Sequence, residues 1–427
     1  MFMNTANTAW ITTVNDAGIL PLPGHDFSSP FGPTGPGIVL PPGRSQTFAN
    51  TFANGPSAPV TTNPAAYSQE WNFNIQHELS GGTLIDVAYA GSKGTHLPMH
   101  SQDQDQLPNQ YLPGGSAGYT VADLKASVAN PFYGLVQGAL TQPTVQAGQL
   151  LLPFPQVSDV SIAEPNNRDS IYHSFQMKIQ KRFSHGGTVL ASYTIAKLIS
   201  NTNNEINWLG DAAPSWGDTD AYNLRNERSL DGFNVPQRLV LGYVLDLPVG
   251  KGKRFASNLS PIANKFVGGW GIDGIVTLQS GFPLNIGGGS NALCNAGIPN
   301  GGGCRSTRIG KDSMTSGSTD AKLAKWFDTS AFIDTTTLAR GNGSRTEPSL
   351  RQDAQKSMDF AMFKKTKFGP DERLGLEFRA EFFNFFNHPQ FAAPNTSCCS
   401  SSNSSFGQVT GQYNLPRLIQ FGLRFTF

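Results

Sequence analysis

The sequence predicts an all-β fold of one kind: a transmembrane, antiparallel outer-membrane β-barrel, partial, about nine or ten strands of a larger barrel, with long extracellular loops. Three observations lead there. Apolar residues recur at every second position in segments of about ten residues, the length a tilted strand needs to cross a bilayer. Connections between segments alternate short and long, and aromatic residues recur near segment ends.

The segments follow in order. The first sets Trp71, Phe73, Ile75 and Leu79 on one face against Asn72, Asn74, Gln76 and Glu78. The second sets Ile85, Val87 and Tyr89 against Asp86 and Ala88. In the third, Phe175, Met177, Ile179 and Phe183 alternate with Ser174, Gln176, Lys178, Gln180 and Arg182. In the fourth, Val189, Ala191, Tyr193 and Ile195 face away from Thr188, Ser192 and Thr194. Leu239, Leu241, Tyr243 and Leu245 then oppose Arg238, Gly242 and Asp246, and Trp270, Ile272, Val276 and Leu278 oppose Asp273, Thr277 and Gln279. Met358, Phe360 and Met362 alternate with Asp359 and Ala361; Leu374, Leu376, Phe378 and Phe382 alternate with Arg373, Glu377, Arg379 and Glu381. The last segment sets Ile419, Phe421, Leu423, Phe425 and Phe427 against Gln420, Gly422, Arg424 and Thr426.

A soluble sandwich also alternates, so periodicity alone does not decide. The connections do. Ser80–Gly82, Ser184–Gly187 and Phe368–Glu372 are short and Pro248–Val267 is moderate, while Lys93–Asp169, Asn201–Pro236, Pro283–Gln355 and Asn387–Pro416 are long. Loops of that length are unusual in compact domains. Short turns on one side and long loops on the other are the habit of bacterial outer-membrane barrels, with the long loops outside the cell. Trp71, Tyr89, Phe183, Trp270 and Phe427 are placed where a barrel wall meets the headgroup layers.

Nine segments make an odd count, which leaves the first starting on the outside. A single-chain barrel normally has an even count, so a further strand is expected upstream or within residues 1–66. Residues 1–66, rich in Pro, Gly and Asn, read as an extracellular loop-like segment, and 67–427 as the C-terminal part of a barrel.

Composition agrees. Charged residues are only 14% of the 427, and 31 Lys plus Arg balance 30 Asp plus Glu, so no nucleic-acid partner is expected. The mean hydropathy of −0.27 does not exclude a barrel, whose lipid-facing and lumen-facing residues cancel in any average. No secretory leader is visible at the N-terminus, and prolines break the longest uncharged run, Ala126–Ser158.

No catalytic constellation emerges, and no enzyme, cofactor or metal is expected. His96 and His100 have helical ligand spacing, but Pro98 lies between them. Gly250 and Gly252 lack phosphate-loop spacing and read as a turn, whose Lys251, Lys253 and Arg254 either meet anionic headgroups or are solvated. Cys398 and Cys399 are adjacent and without zinc-site spacing. Cys294 and Cys304 bracket a Gly/Asn-rich loop, either as a disulfide or as two free thiols. The charged row Arg373, Glu377, Arg379 and Glu381 reads as a lumen-facing ladder that fixes register or docks a plug, or else touches substrate. The run through Phe421, Leu423, Phe425 and Phe427 reads as a ninth strand and also as an assembly signal, since outer-membrane barrels resemble one another in ending on an aromatic.

Specific motifs then carry a resemblance over roughly residues 60–427. They are NPAAYSQEWNFNIQHEL, QYLPGGSAGYTVADLKASVANPFYGLV, QLLLPFPQVSDV, YHSFQMKIQKRFSHGGTVLASYTIAK, PQRLVLGYVLDLPVGKGKRF, GGWGIDGIVTLQSGFPLNI, FRAEFFNFFNHPQF and PRLIQFGLRFTF. Together they resemble the C-terminal barrel region of Oar-like TonB-dependent receptors of acidobacterial type. Asn234 and Gln237 depart from the Asp and His expected there. The resemblance implies ligand capture by extracellular loops and uptake across the outer membrane, with outer-membrane lipid and the barrel assembly machinery as partners. The TonB complex is implied only through a plug and TonB box that these residues lack. The ligand is left open among siderophores, oligosaccharides, peptides and metal chelates. A surface structural or adhesion protein that displays its loops without transport is the alternative, and a soluble secreted multi-sheet protein a third.

Overall fold

In the computed structural model the described residues are 57–59, 62–99, 101–134, 142–156, 160–163, 165–184, 186–202, 220–287, 305–311, 313–369, 373–399 and 404–427. Nine long strands form one antiparallel sheet in which each pairs with its neighbours in sequence. They are β1 (Tyr67–Leu79), β2 (Thr83–Pro98), β3 (Asn166–Arg182), β4 (Gly187–Ser200), β5 (Gln237–Asp246), β6 (Trp270–Gln279), β7 (Gln355–Phe368), β8 (Leu374–Phe383) and β9 (Leu418–Thr426). A two-residue strand, Ser229–Leu230, pairs with the outer end of β4. The tight turn between β1 and β2 uses Gly81 and Gly82, both at positive φ (80° and 73°), where other residues are strained.

Register gives the sheet the slant of a barrel wall. One row of paired residues runs Leu79, Thr83, Lys181, Val189, Tyr243, Gly274, Phe360, Phe382, Ile419. It starts at the turn end of β1 and arrives at the loop end of β9. That is a slide of about seven residues over eight strand steps. At ~3.3 Å per residue and ~4.8 Å per step, the tilt is roughly 30°, near the range of barrel walls.

The same register sorts the side chains. Val87, Met177, Tyr193, Leu239 and Leu278 share one face, with Phe360, Phe378 and Leu423 on it farther along. Asp86, Lys178, Ser192, Asp273, Glu381 and Gln420 lie on the other. Apolar side chains on the first face are bare: Phe73 is 65% and Leu423 71% exposed. In water such a belt is an aggregation hazard; in a bilayer it is the lipid contact. Among the described residues the sheet is open, and every residue of β1 and β9 is exposed.

The water-excluding core lies in the loops instead. Leu284, Ile286, Trp326, Phe327, Phe332 and Leu350 pack with Cys398 and Val409 between the third and fourth long loops. Leu107, Leu124 and Leu152 of the first loop close on Leu338 of the third. The five-residue helix Val121–Lys125 that carries Leu124 is fixed by a capping box between Thr120 and Asp123.

Several boundaries differ from the sequence reading. Lys93 and Asp169, taken as the limits of a loop, lie within β2 and β3. At ~3.3 Å per residue, the 17 residues of β3 reach far above an apolar belt ~25 Å tall. Above the lipid the strands meet water and polar loop groups, as where buried Arg168 donates to the Asn201 carbonyl, so the apolar alternation fades while pairing continues. Trp71 and Tyr89 are therefore inside their strands, not at the ends. Most of the loop-like 1–66 segment falls outside the described residues, but Ser57–Pro59 forms a short strand beside Ser161–Ala163. Arg373 precedes β8 by one residue.

Candidate functional site: the loop layer and the lumen wall

The long loops are tied together mainly by arginines of the third, which carries Arg305, Arg308, Arg340, Arg345 and Arg351 in a stretch otherwise rich in Gly, Ser and Thr. Arg340 reaches the first loop three ways: Nε donates to Asn109 Oδ1 (3.1 Å), Nη1 to Gln106 Oε1 (3.1 Å) and Nη2 to the Leu107 carbonyl (3.0 Å). The second loop joins there, Asn109 Nδ2 donating to Asp220 Oδ2 (2.8 Å) and the Tyr222 hydroxyl to the Gln106 carbonyl (2.8 Å). Burial pulls the Arg340 guanidinium below its ordinary pKa, and Asp220 partly offsets that; burial likewise raises the Tyr222 phenol.

Nearer the wall, buried Glu227 holds Arg305 in an ion pair. Arg345 donates through Nη2 to Ser200 Oγ (2.7 Å) at the top of β4 and through Nε to the Glu227 carbonyl (3.0 Å). Burial depresses its pKa, against the pull of Asp231 and Glu227. Arg351 Nη1 donates to the carbonyls of Asn234 and Gly281, both at 3.1 Å. A guanidinium with five fixed donors suits this work, because loop carbonyls removed from water need partners.

A cavity of about 690 Å³ opens where the three loops meet. Asn109, Asp220, Asn226, Thr336, Thr337 and Arg340 give it polar lining, and Leu112, Val121 and Leu338 apolar lining. This is the mixture of apolar surface with few oriented polar groups that binds small molecules. The sequence reading did not find it. The available signal was five arginines within 47 residues of a charge-poor chain.

On the lumen face, Arg379 Nη2 pairs with Asp273 Oδ1 and its Nε with Glu381 Oε1, both at 2.8 Å. Glu377 is aligned between Lys365 of β7 and Arg424 of β9. Of the four residues read as a ladder, Glu377, Arg379 and Glu381 thus share the face, Arg373 lies beyond the strand, and Asp273 joins from β6. Phe363 also stands on this polar face, with Lys365 Nζ 4.8 Å from its ring centre. Its ring lies flat on Gly271, where any Cβ would collide with it, so the glycine makes room for the aromatic.

At the C-terminus, Phe421 stacks on Phe378 with ring centres 6.3 Å apart, and Phe425 meets Phe368 at 5.9 Å and Phe427 at 6.2 Å. Leu423 pairs in register with Phe378. Cys294, Cys304 and His100 lie outside the described residues. Among the described residues, no cluster of His, Cys, Asp or Glu is arranged for a metal, and no helix is long and apolar enough to cross a membrane.

No match is found among curated proteins. Solved structures with a similar course include the outer membrane transporter YddB from Escherichia coli (9% identity, 87% of this chain and 34% of that one, TM-score 0.37). Others are the ferric citrate transporter FecA in unliganded form (9%, 84% and 31%, 0.32) and P. aeruginosa FpvA bound to heterologous pyoverdines (8%, 84% and 27%, 0.30). The chain spans about a third or less of their length. The family model described as an outer membrane beta barrel domain matches residues 3–420. With the open antiparallel wall and its bare apolar belt, that match places the protein in the outer membrane, and the chain belongs to the outer membrane beta barrel domain family.

Proposed function

We propose that this chain is the wall and loop layer of a TonB-dependent, Oar-like receptor that captures an extracellular ligand among its loops and passes it through the barrel lumen. The work is binding and gating, with no covalent step. The observation that carries this reading is the cavity at Arg340, built jointly by three loops and lined by polar groups already held in place. A binding site preorganised in this way loses little entropy on capture. In this reading the lumen triad Asp273–Arg379–Glu381 fixes register or docks a plug supplied by other sequence, through which TonB would act. The strand carrying Phe421, Leu423, Phe425 and Phe427 is what the barrel assembly machinery recognises, and strands beyond the nine close the sheet.

The test compares cells with and without the protein for energy-dependent accumulation of labelled ferric siderophores, oligosaccharides, oligopeptides and metal chelates. One class should depend on the protein, and Asp220→Asn with Arg340→Gln should reduce its uptake while the protein stays in the outer membrane. If no class depends on it and cell adhesion does, the loops serve display, a reading that their own apolar cores also favour.

A further inference from the structure

We propose that the lipid-facing side of the wall carries a binding site for the phosphorylated headgroup of an outer-leaflet lipid, at the junction of β3, β4 and the second loop. A groove of about 880 Å³ lies there. Its lower wall is apolar: Phe175, Ile195 and Ile199 belong to the face that carries Met177 and Tyr193 farther down. Its upper part is cationic. Lys197 stands beside His173 in register, and Arg228 lies one residue before the short strand whose Leu230 pairs with Ile199.

Height decides what fills it. His173 and Lys197 stand nine and ten residues above the turn ends of their strands at Arg182 and Gly187. On a wall tilted like this one, that is roughly 25 Å, the full height of the apolar belt. Phe175 and Ile195 therefore lie in the upper hydrocarbon, while Lys197 and Arg228 stand at headgroup level and above. Tyr89 marks the boundary: its hydroxyl bonds His173 Nδ1 at 2.8 Å and accepts from Trp71 Nε1 at 3.3 Å, which gives three amphipathic rings at one level.

Charge selects the headgroup. No carboxylate is among the described residues lining the groove. Neither Lys197 nor Arg228 is ion-paired among the described residues, and both are exposed. Of the three cations that line the groove, Arg351 is held by the carbonyls of Asn234 and Gly281. The two exposed ones complement a lipid, whose chains lie along Phe175 and Ile195 and whose phosphate meets Lys197 and Arg228. A soluble anion would leave the apolar half of the groove empty.

The test purifies the protein from outer membranes in mild detergent and measures retained lipid by native mass spectrometry. Wild-type protein should retain a phosphorylated lipid, and Lys197→Gln with Arg228→Gln should lower retention by about tenfold or more, the order expected when two phosphate-facing cations are removed. Lys178→Gln with Lys322→Gln, on the lumen face and in the third loop, should retain the lipid. Delipidated protein is then titrated with micelles of lipid A, with micelles of its dephosphorylated form, and with inorganic phosphate. Binding of lipid A alone supports the site. Equal retention by both double variants, equal binding of the dephosphorylated lipid, or binding of inorganic phosphate as tight as that of lipid A would each overturn it. Heat-modifiable mobility of the variants separates loss of lipid from loss of fold.

Discussion

Leu241 and Gly242 are neighbours in the middle of β5, and the wall assigns them opposite environments. Leu241 pairs with Ala191 and Val276 on the apolar face, and Gly242 with Leu190 and Ile275 on the lumen face. An arginine at 241 would put a guanidinium near the bilayer midplane, too far from either surface to reach water. The cost there is about 2–4 kcal/mol. At 1.4 kcal/mol per factor of ten, the folded-to-unfolded ratio falls by roughly thirty- to several-hundred-fold. At 242 a Cβ would meet nothing within 4 Å, so the side chain enters open lumen and the change stays within about 0.5 kcal/mol. The assay is the amount of protein in the outer membrane that runs with heat-modifiable mobility, followed by urea unfolding of what is recovered. Leu241→Arg should be depleted and Gly242→Arg should match wild type. Equal losses at both positions, or a larger loss at 242, would refute the assignment of faces.

Other consequences follow from single contacts. Arg305→Ala removes one partner of a buried ion pair with Glu227, at a cost of about 3–5 kcal/mol. Because the damage is confined to the loops, external protease should cut them faster while the wall keeps its heat-modifiable mobility; Arg305→Met with Glu227→Leu should restore resistance. Gly271→Val drives a side chain into the Phe363 ring and should lower wall stability by about 1–3 kcal/mol in urea unfolding, with Phe363→Ala in the same protein recovering part of it. Deletion of Phe427 should lower the yield of assembled protein in the outer membrane, whereas Phe427→Tyr, which keeps a terminal aromatic, should assemble normally.

The wall was legible because lipid leaves an unusually strict record. A residue such as Leu241 or Phe378 meets hydrocarbon and its neighbour meets water, so alternation persists for the whole height of the bilayer. The record stops where lipid stops: Ser92–Pro98 and Asn166–Tyr172 are paired strands that meet water and the loop layer, Arg168 being fully buried there, and carry no apolar alternation to read. The loop layer was legible only in part. Its length and position followed from the spacing of the segments, but Arg340 meets Asn109 across 231 residues and Arg345 meets Ser200 across 145. No local periodicity encodes such meetings. The lumen triad was half visible: Arg379 and Glu381 lie on one strand, while Asp273 arrives only through the pairing of β6 with β7 and of β7 with β8.

The central claim is that one face of this sheet meets lipid and the other water, and spin-label accessibility along β7 tests it most directly. Single cysteines would be placed at each position from 356 to 366 in protein whose four native cysteines are serine, labelled, and measured in bilayers with oxygen and with a water-soluble nickel complex. Oxygen should dominate at Met358, Phe360 and Met362, and nickel at Ser357, Asp359 and Ala361, in a two-residue period that fades towards both ends. Uniform nickel access along the strand, or an alternation of opposite phase, would contradict the account.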